Sequence, residues 1–181
     1  MPIYPNSLLF ITGSLSGGGA ERVLTLLAEE IRKKSIKVYI CCLEQQQEDI
    51  NSKELTDGIN YSFLGQKSKF RYFSLIKRLF VLRREIKSIN PDIVIGFMLH
   101  NAIQAVMSSL GLNIPVILRT ANTPEKELSS GMTKILARLF LPKIKGAVFQ
   151  TEYQQKGYES LLKCKSVIIS NPVSYNASRN I

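Results

Sequence analysis

Apolar residues recur along this chain in two rhythms. Short unbroken apolar runs predict strands, and spacings of three and four predict helices. Leu8–Thr12 is a run of the first kind. Ala20–Lys34 follows as a helix with Val23, Leu24, Leu27, Ala28 and Ile31 on one face. Lys37–Leu43 reads as a strand, the polar stretch Gln45–Gly58 as loop with a helical turn, and Tyr61–Leu64 as a short strand. Phe70–Ile89 has helical spacing and stops at Asn90-Pro91, where proline disfavours a helical predecessor. The alternation continues with strand Asp92–Met98, helix Asn101–Leu110 closed by Gly111, strand Val116–Thr120, and helix Met132–Leu141 stopped by Pro142. Strand Ala147–Gln150, helix Glu152–Leu162 and strand Ser166–Ser170 complete it. Runs such as "DIVIGFM" are apolar throughout rather than alternating, as in strands buried on both faces. The expectation is a Rossmann-like α/β domain: a mostly parallel sheet in three layers, with helices on both sides.

Composition narrows the class of partner more than the fold. The chain has 181 residues, enough for one well-buried domain. Its formal charge of +10 favours an anionic partner such as phosphate or an anionic membrane. Nucleic acid is disfavoured, since no recognised nucleic-acid motif accompanies the charge. Three cysteines, Cys41, Cys42 and Cys164, have no metal-ligand spacing, and their odd number argues against a disulfide framework. His100 is the only histidine, which excludes a multi-histidine metal site. The opening residues do not read as a signal peptide, because no Lys or Arg precedes Arg22 and the apolar run "LLFI" is short. No run approaches the roughly 18 apolar residues of a spanning helix.

Candidate chemistry begins with "GSLSGGGAER". Ser16, Gly17, Gly18 and Gly19 sit at the turn from the first strand into the first helix. Ligands of doubly wound sheets bind at the carboxyl ends of strands. Residues without a Cβ admit a ligand close to the backbone, and the helix start offers unpaired N–H groups to an anion. The alternative is a turn that only eases packing. The spacing fits neither G-x-G-x-x-G nor a P-loop. Cys41 and Cys42, adjacent in a strand, read as buried rather than reactive.

Several segments carry a resemblance. "LLFITGSLSGGGAERVLTLLAEEI", "INPDIVIGFMLHNAIQAV", "VILRTANTP", "GAVFQTEYQQKGY" and "VIISNPV" are similar to the amino-terminal half of bacterial family-four (group 1) glycosyltransferases, over about Leu8 to Val173. Those enzymes have the GT-B architecture of two Rossmann-like domains facing a cleft. The resemblance implies one domain over residues 1–173, with 174–181 a tail or the start of an interdomain linker. The second domain, which binds the nucleotide part of the donor and carries a Glu-x7-Glu motif, is expected after Pro172 and is absent from this sequence. A Glu-x7-Glu does occur at Glu21 and Glu29, but on the first helix, where such carboxylates commonly decorate a surface.

What the resemblance implies for function is the acceptor-binding half of a retaining glycosyltransferase of hexosyltransferase type. It would move sugar from a nucleotide-sugar donor to a lipid-linked or saccharide acceptor in cell-surface polysaccharide synthesis, without cofactor or essential metal. The chain alone would be inactive. The glycine loop would face the donor phosphates. His100, after "DIVIGFM", is a candidate to hydrogen-bond a sugar hydroxyl or act as a base, against a helix-start histidine with no chemical role, with Asn101 as an alternative cap. Asn122 and Pro124 match a loop that often reads Ser-Glu-Arg-Asn-Asp-Pro in the family. Here Ala121 and Thr123 replace its arginine and aspartate, and Arg119 is the nearby cation. Thr151 and Glu152 follow a buried strand and belong near acceptor or donor, although Glu152 also suits a helix first turn.

The basic helix offers a second kind of partner. Tyr72, Leu75, Ile76, Leu79, Leu82, Ile86 and Ile89 are expected to face the sheet. Lys69, Phe73, Lys77, Phe80, Arg84 and Lys87 gather on another face. Rings among cations suit an anionic membrane surface, and the resemblance implies a cytoplasmic protein bound peripherally to the inner face of a membrane. The rival to the enzyme reading is a non-catalytic anion-binding module docking on membrane or a partner protein.

Overall fold

A computed structural model describes residues 4–16, 18–44, 58–64 and 71–171. Seven strands form one sheet: β1 (Ser7–Thr12), β2 (Lys37–Cys42), β3 (Asn60–Phe63), β4 (Ile93–Phe97), β5 (Val116–Arg119), β6 (Gly146–Phe149) and β7 (Ser166–Ile168). Its order is β3-β2-β1-β4-β5-β6-β7, and every pairing is parallel. The helices are α1 (Gly19–Arg32), α2 (Arg71–Ile89), α3 (Leu99–Ser109), α4 (Pro124–Glu127), α5 (Gly131–Phe140) and α6 (Glu152–Tyr158). Short 3-10 turns follow α5 and α6. This is the Rossmann-like α/β architecture that the apolar pattern predicts.

The two faces of the sheet are covered by different helices. Leu24 and Ala28 of α1 pack with Phe10, Val38, Ile40 and Phe97 on one side. Leu82 and Ile86 of α2, most of α3, and Ala137 of α5 pack with Leu9, Ile11, Val94 and Leu118 on the other. Each fully buried Leu, Ile or Phe contributes roughly 1.5–3 kcal/mol relative to exposure. Gly96 sets how closely α3 approaches: a Cβ there would lie 2.3 Å from the Ala102 Cα. Asn90 (φ 46°) and Gly111 (φ 73°) take the left-handed conformation that ends α2 and α3. Asp92 Oδ2 accepts the N–H groups of Asn6 and Ser7 at 2.7 and 2.9 Å, tying the start of β1 to the start of β4.

Some boundaries and faces differ from expectation. β7 ends at Ile168, two residues early, and α3 begins at Leu99, two residues before Asn101. The four-residue α4 has too few residues for periodicity to detect. Leu27 points outward on α1, while Thr25 takes a buried place. Ile76 is exposed on α2 rather than facing the sheet. Val167, Ile168 and Ile169 at the β7 edge are exposed. Residues 45–57 of the expected loop Gln45–Gly58 lie outside the described residues, as do Gly17, Lys69 and the side chains of Tyr72 and Phe73.

Candidate functional site

The sheet reverses its winding between β1 and β4. From β1 the chain leaves through α1 on one face, and from β4 it leaves through α3 on the other. The two connections diverge at the carboxyl ends of these strands, the place where such sheets usually hold a ligand crevice. Four connections reach it, of which the described residues are Gly13–Ser16 with Gly18, Met98–His100, Thr120–Thr123 and Gln150–Thr151.

The first connection already holds an anion of its own. Glu21, one turn into α1, accepts the Ser14 hydroxyl at 2.6 Å and the Gly18 N–H at 2.9 Å. The Ser16 hydroxyl approaches the same carboxylate at 3.5 Å and lies 3.1 Å from Ser14 Oγ. Glu21 is therefore not the surface decoration that its place on a helix suggests. Its carboxylate takes donors that were expected to be available to a phosphate.

The second connection is strained. Met98 has φ 75° and ψ 153°, a conformation that side chains with a Cβ rarely adopt. Its N–H donates to the Arg119 carbonyl at 2.7 Å, which holds the turn against β5. His100 follows in the first turn of α3 and is exposed. Asn101 does not cap the helix. It lies inside α3 and donates from Nδ2 to the Phe97 carbonyl at 2.5 Å, pinning the strand end instead. The cap comes from afar: Glu127 Oε1 accepts the Leu99 N–H at 3.3 Å.

Buried charges flank the third connection, Arg119 at the end of β5 and Glu127 in α4. Arg119 is 7% exposed. Its guanidinium lies 4.4 Å from the centre of the Phe97 ring and donates to Asn171 Oδ1. Its Nη1 is buried with no hydrogen-bond partner, and so is the Thr120 hydroxyl. Burial pulls the Arg119 pKa down to about 10, with the Glu127 charge acting the other way. Burial likewise raises the Glu127 pKa, although Tyr158, Leu99, Asn122 and Arg119 all favour its ionised form. Tyr158 donates to Glu127 Oε2 at 2.6 Å and stacks on Phe149.

The fourth connection braces the third. Thr151 caps α6 by accepting the Gln154 N–H at 3.2 Å, and Glu152 is exposed in the first turn. The buried Gln154 accepts the Gln150 N–H at 2.8 Å and donates to the Asn122 carbonyl at 3.1 Å. Gln150 donates to the Thr120 carbonyl at 3.2 Å. His100, Arg119, Asn122 and Thr151 thus lie in or beside the connections at the carboxyl edge of the sheet. Among the described residues, no group of three or more His, Cys, Asp or Glu is arranged to hold a metal.

Residues 17–176 match the sequence profile of Glycosyltransferase Family 4. The chain belongs to that family. The family 4 domain resembles the structure of the apo lipopolysaccharide outer core galactosyltransferase WaaB, with TM-score 0.76, 15% identity, and 94% of this chain on 47% of that one. It also resembles Anabaena HepE in complex with UDP and glucose, with TM-score 0.72, 12% identity, and 92% on 44%. A Rickettsia bellii UDP-N-acetylglucosamine 2-epimerase shares the fold too, with TM-score 0.66, 12% identity, and 90% on 44%. Identities this low show the fold alone, that of the amino-terminal half of a GT-B enzyme. The chain spans about half the length of these structures. No curated protein matches it.

Sequence reading of the family 4 domain missed Glu21, Glu127, Gln154 and Tyr158. Glu21 had a local signal, a glutamate three residues after a helix-capping glycine. Glu127 and Tyr158 had none, because their partners lie 28 and 31 positions away.

Proposed function

We propose that this family 4 domain is the acceptor-binding half of a retaining glycosyltransferase. It serves the transfer of a hexose from a nucleotide-sugar donor to a lipid-linked or saccharide acceptor in cell-surface glycan synthesis. The observation that carries the reading is the buried Arg119 with an unsatisfied Nη1, beside connections bearing His100, Asn122 and Thr151. A guanidinium held this way is prepared for an oxygen-rich ligand and needs no further desolvation to meet one. In this reading Arg119 engages a phosphate or acceptor oxygen, and Asn122 and Thr151 lie close by to orient sugar hydroxyls. His100 stands at the crevice edge to hydrogen-bond or deprotonate a hydroxyl. Donor phosphates approach the Ser16–Gly19 side of the crevice and compete there with the Glu21 carboxylate. HepE in complex with UDP and glucose supports a nucleotide-sugar donor by analogy of fold.

The acceptor reaches the crevice from a membrane. Phe80 is 69% exposed on α2, with Lys77, Arg84 and Lys87 exposed around it. Basic residues near an anionic bilayer contribute about 1 kcal/mol each. In this reading the domain rests peripherally on the cytoplasmic leaflet. No helix among the described residues is long and apolar enough to cross a membrane.

The test compares this chain with the full-length protein on a panel of nucleotide sugars and polyprenyl-linked acceptors. The full-length protein should transfer with retention, undiminished by a chelator, and Arg119→Met should reduce its rate by at least tenfold. This chain alone should not turn over. Robust transfer by the chain alone would overturn the half-enzyme reading.

A further inference from the structure

The outer face of α5 is as unusual as that of α2, and neither composition nor strand pattern draws attention to it. Met132, Ile135 and Leu139 are 59%, 53% and 58% exposed. At 100° per residue the three fall within about 60° of one another, so they form a stripe rather than scattered contacts. Ala137, on the far side of the helix, is the residue buried in the core. Lys134 and Arg138 are exposed and follow the stripe on its outer side. Apolar side chains in this arrangement, next to cations, reproduce the two halves of an interfacial helix.

We infer that α5 makes a second contact with an anionic lipid bilayer, placing Met132, Ile135 and Leu139 among the acyl chains while Lys134 and Arg138 meet the headgroups. The inference rests on the peripheral-membrane reading above and names a separate element of it. Charge selects the bilayer as occupant. From Leu128 to Lys145 there is no acidic residue, while Lys134, Arg138, Lys143 and Lys145 are all cationic and exposed. A partner presenting anions without a fixed pattern suits such a surface, and aliphatic side chains without hydrogen-bonding tips suit its apolar interior. Position agrees. α5 and α2 both pack into the core on the same face of the sheet, so one plane is available to both. Helices that link parallel strands run against them, which places the Met132 end of α5 toward the edge where the crevice opens. A lipid-linked acceptor emerging beside Met132 has a short way to travel.

The chain contains no tryptophan, so a single introduced indole reports one position without background. The experiment compares Ile135→Trp on α5, Phe80→Trp on α2, and Leu27→Trp on α1, which packs on the opposite face of the sheet. Each is mixed with vesicles of phosphatidylcholine alone and of phosphatidylcholine with phosphatidylglycerol. The Ile135→Trp emission should shift to the blue on anionic vesicles only and be quenched by brominated acyl chains, while Leu27→Trp stays unchanged. Met132→Ser/Ile135→Ser/Leu139→Ser should lower vesicle co-sedimentation by about tenfold with circular dichroism unaltered. If that variant does not fold, the indole reading decides alone. A shift at Phe80→Trp with none at Ile135→Trp overturns the α5 contact and leaves the α2 surface standing. Silence at both overturns both. A shift of Ile135→Trp that grows with protein concentration in the absence of vesicles makes the stripe a contact between copies of this chain and overturns the proposal. Equal shifts at Ile135→Trp and Leu27→Trp show non-specific adsorption and overturn it as well.

Discussion

Arg119 and Glu127 are opposite charges kept out of water near the mouth of β5, and burial works against both. For Glu127 it wins, and the carboxyl group titrates above the ordinary glutamate range. The sign for stability follows from linkage. A carboxyl group that binds its proton more tightly in the folded state stabilises the fold fully below the unfolded pKa. That contribution is lost as pH rises through the raised folded value. Thermal unfolding of the wild type should therefore show a decline as pH rises from the ordinary glutamate range toward neutral. Glu127→Gln removes the titration. It should be less stable than wild type by on the order of 1–2 kcal/mol at acid pH, having fewer acceptor positions for Tyr158 and Leu99. The gap should narrow as pH rises. A gap constant across pH would show that another group titrates.

At the scale of elements, the joint between β4 and α3 is tightly constrained. Gly96→Ala would drive a methyl group into the Ala102 backbone, so α3 must lift or the strand must shift. The expected cost is about 1–3 kcal/mol, read as a lower denaturation midpoint. An unchanged midpoint would mean that α3 slides freely on the sheet. The alternation of strands and helices was legible because both periods are local in sequence. The Glu127–Tyr158 brace was not, since nothing near either residue announces a partner so far along the chain. Nor did the spacing of α2 reveal that Ile76 faces outward, because a helical period fixes which residues share a face but not how wide the buried arc is. The start of α1 at Gly19 follows the glycines, whereas the use of the Gly18 N–H by Glu21 depends on a side-chain direction that spacing does not encode.

At the scale of the whole molecule, the three cysteines sample two depths. Cys41 and Cys42 are buried in β2, and burial pushes the Cys41 thiol up to about 12. Cys164, before β7, is half-buried. A thiol reagent should label Cys164 alone in the native protein and all three in denaturant. Native labelling of Cys41 or Cys42 would mean that β2 opens. The position of Asn171 has a mechanical consequence. The last strand lies at one edge of the sheet, yet the chain leaving it is gripped by Arg119, 52 positions earlier and two strands inward. A pull applied at that end of the chain reaches the guanidinium before it reaches β7. Arg119 thus ties the segment that follows β7 to the carboxyl end of β5.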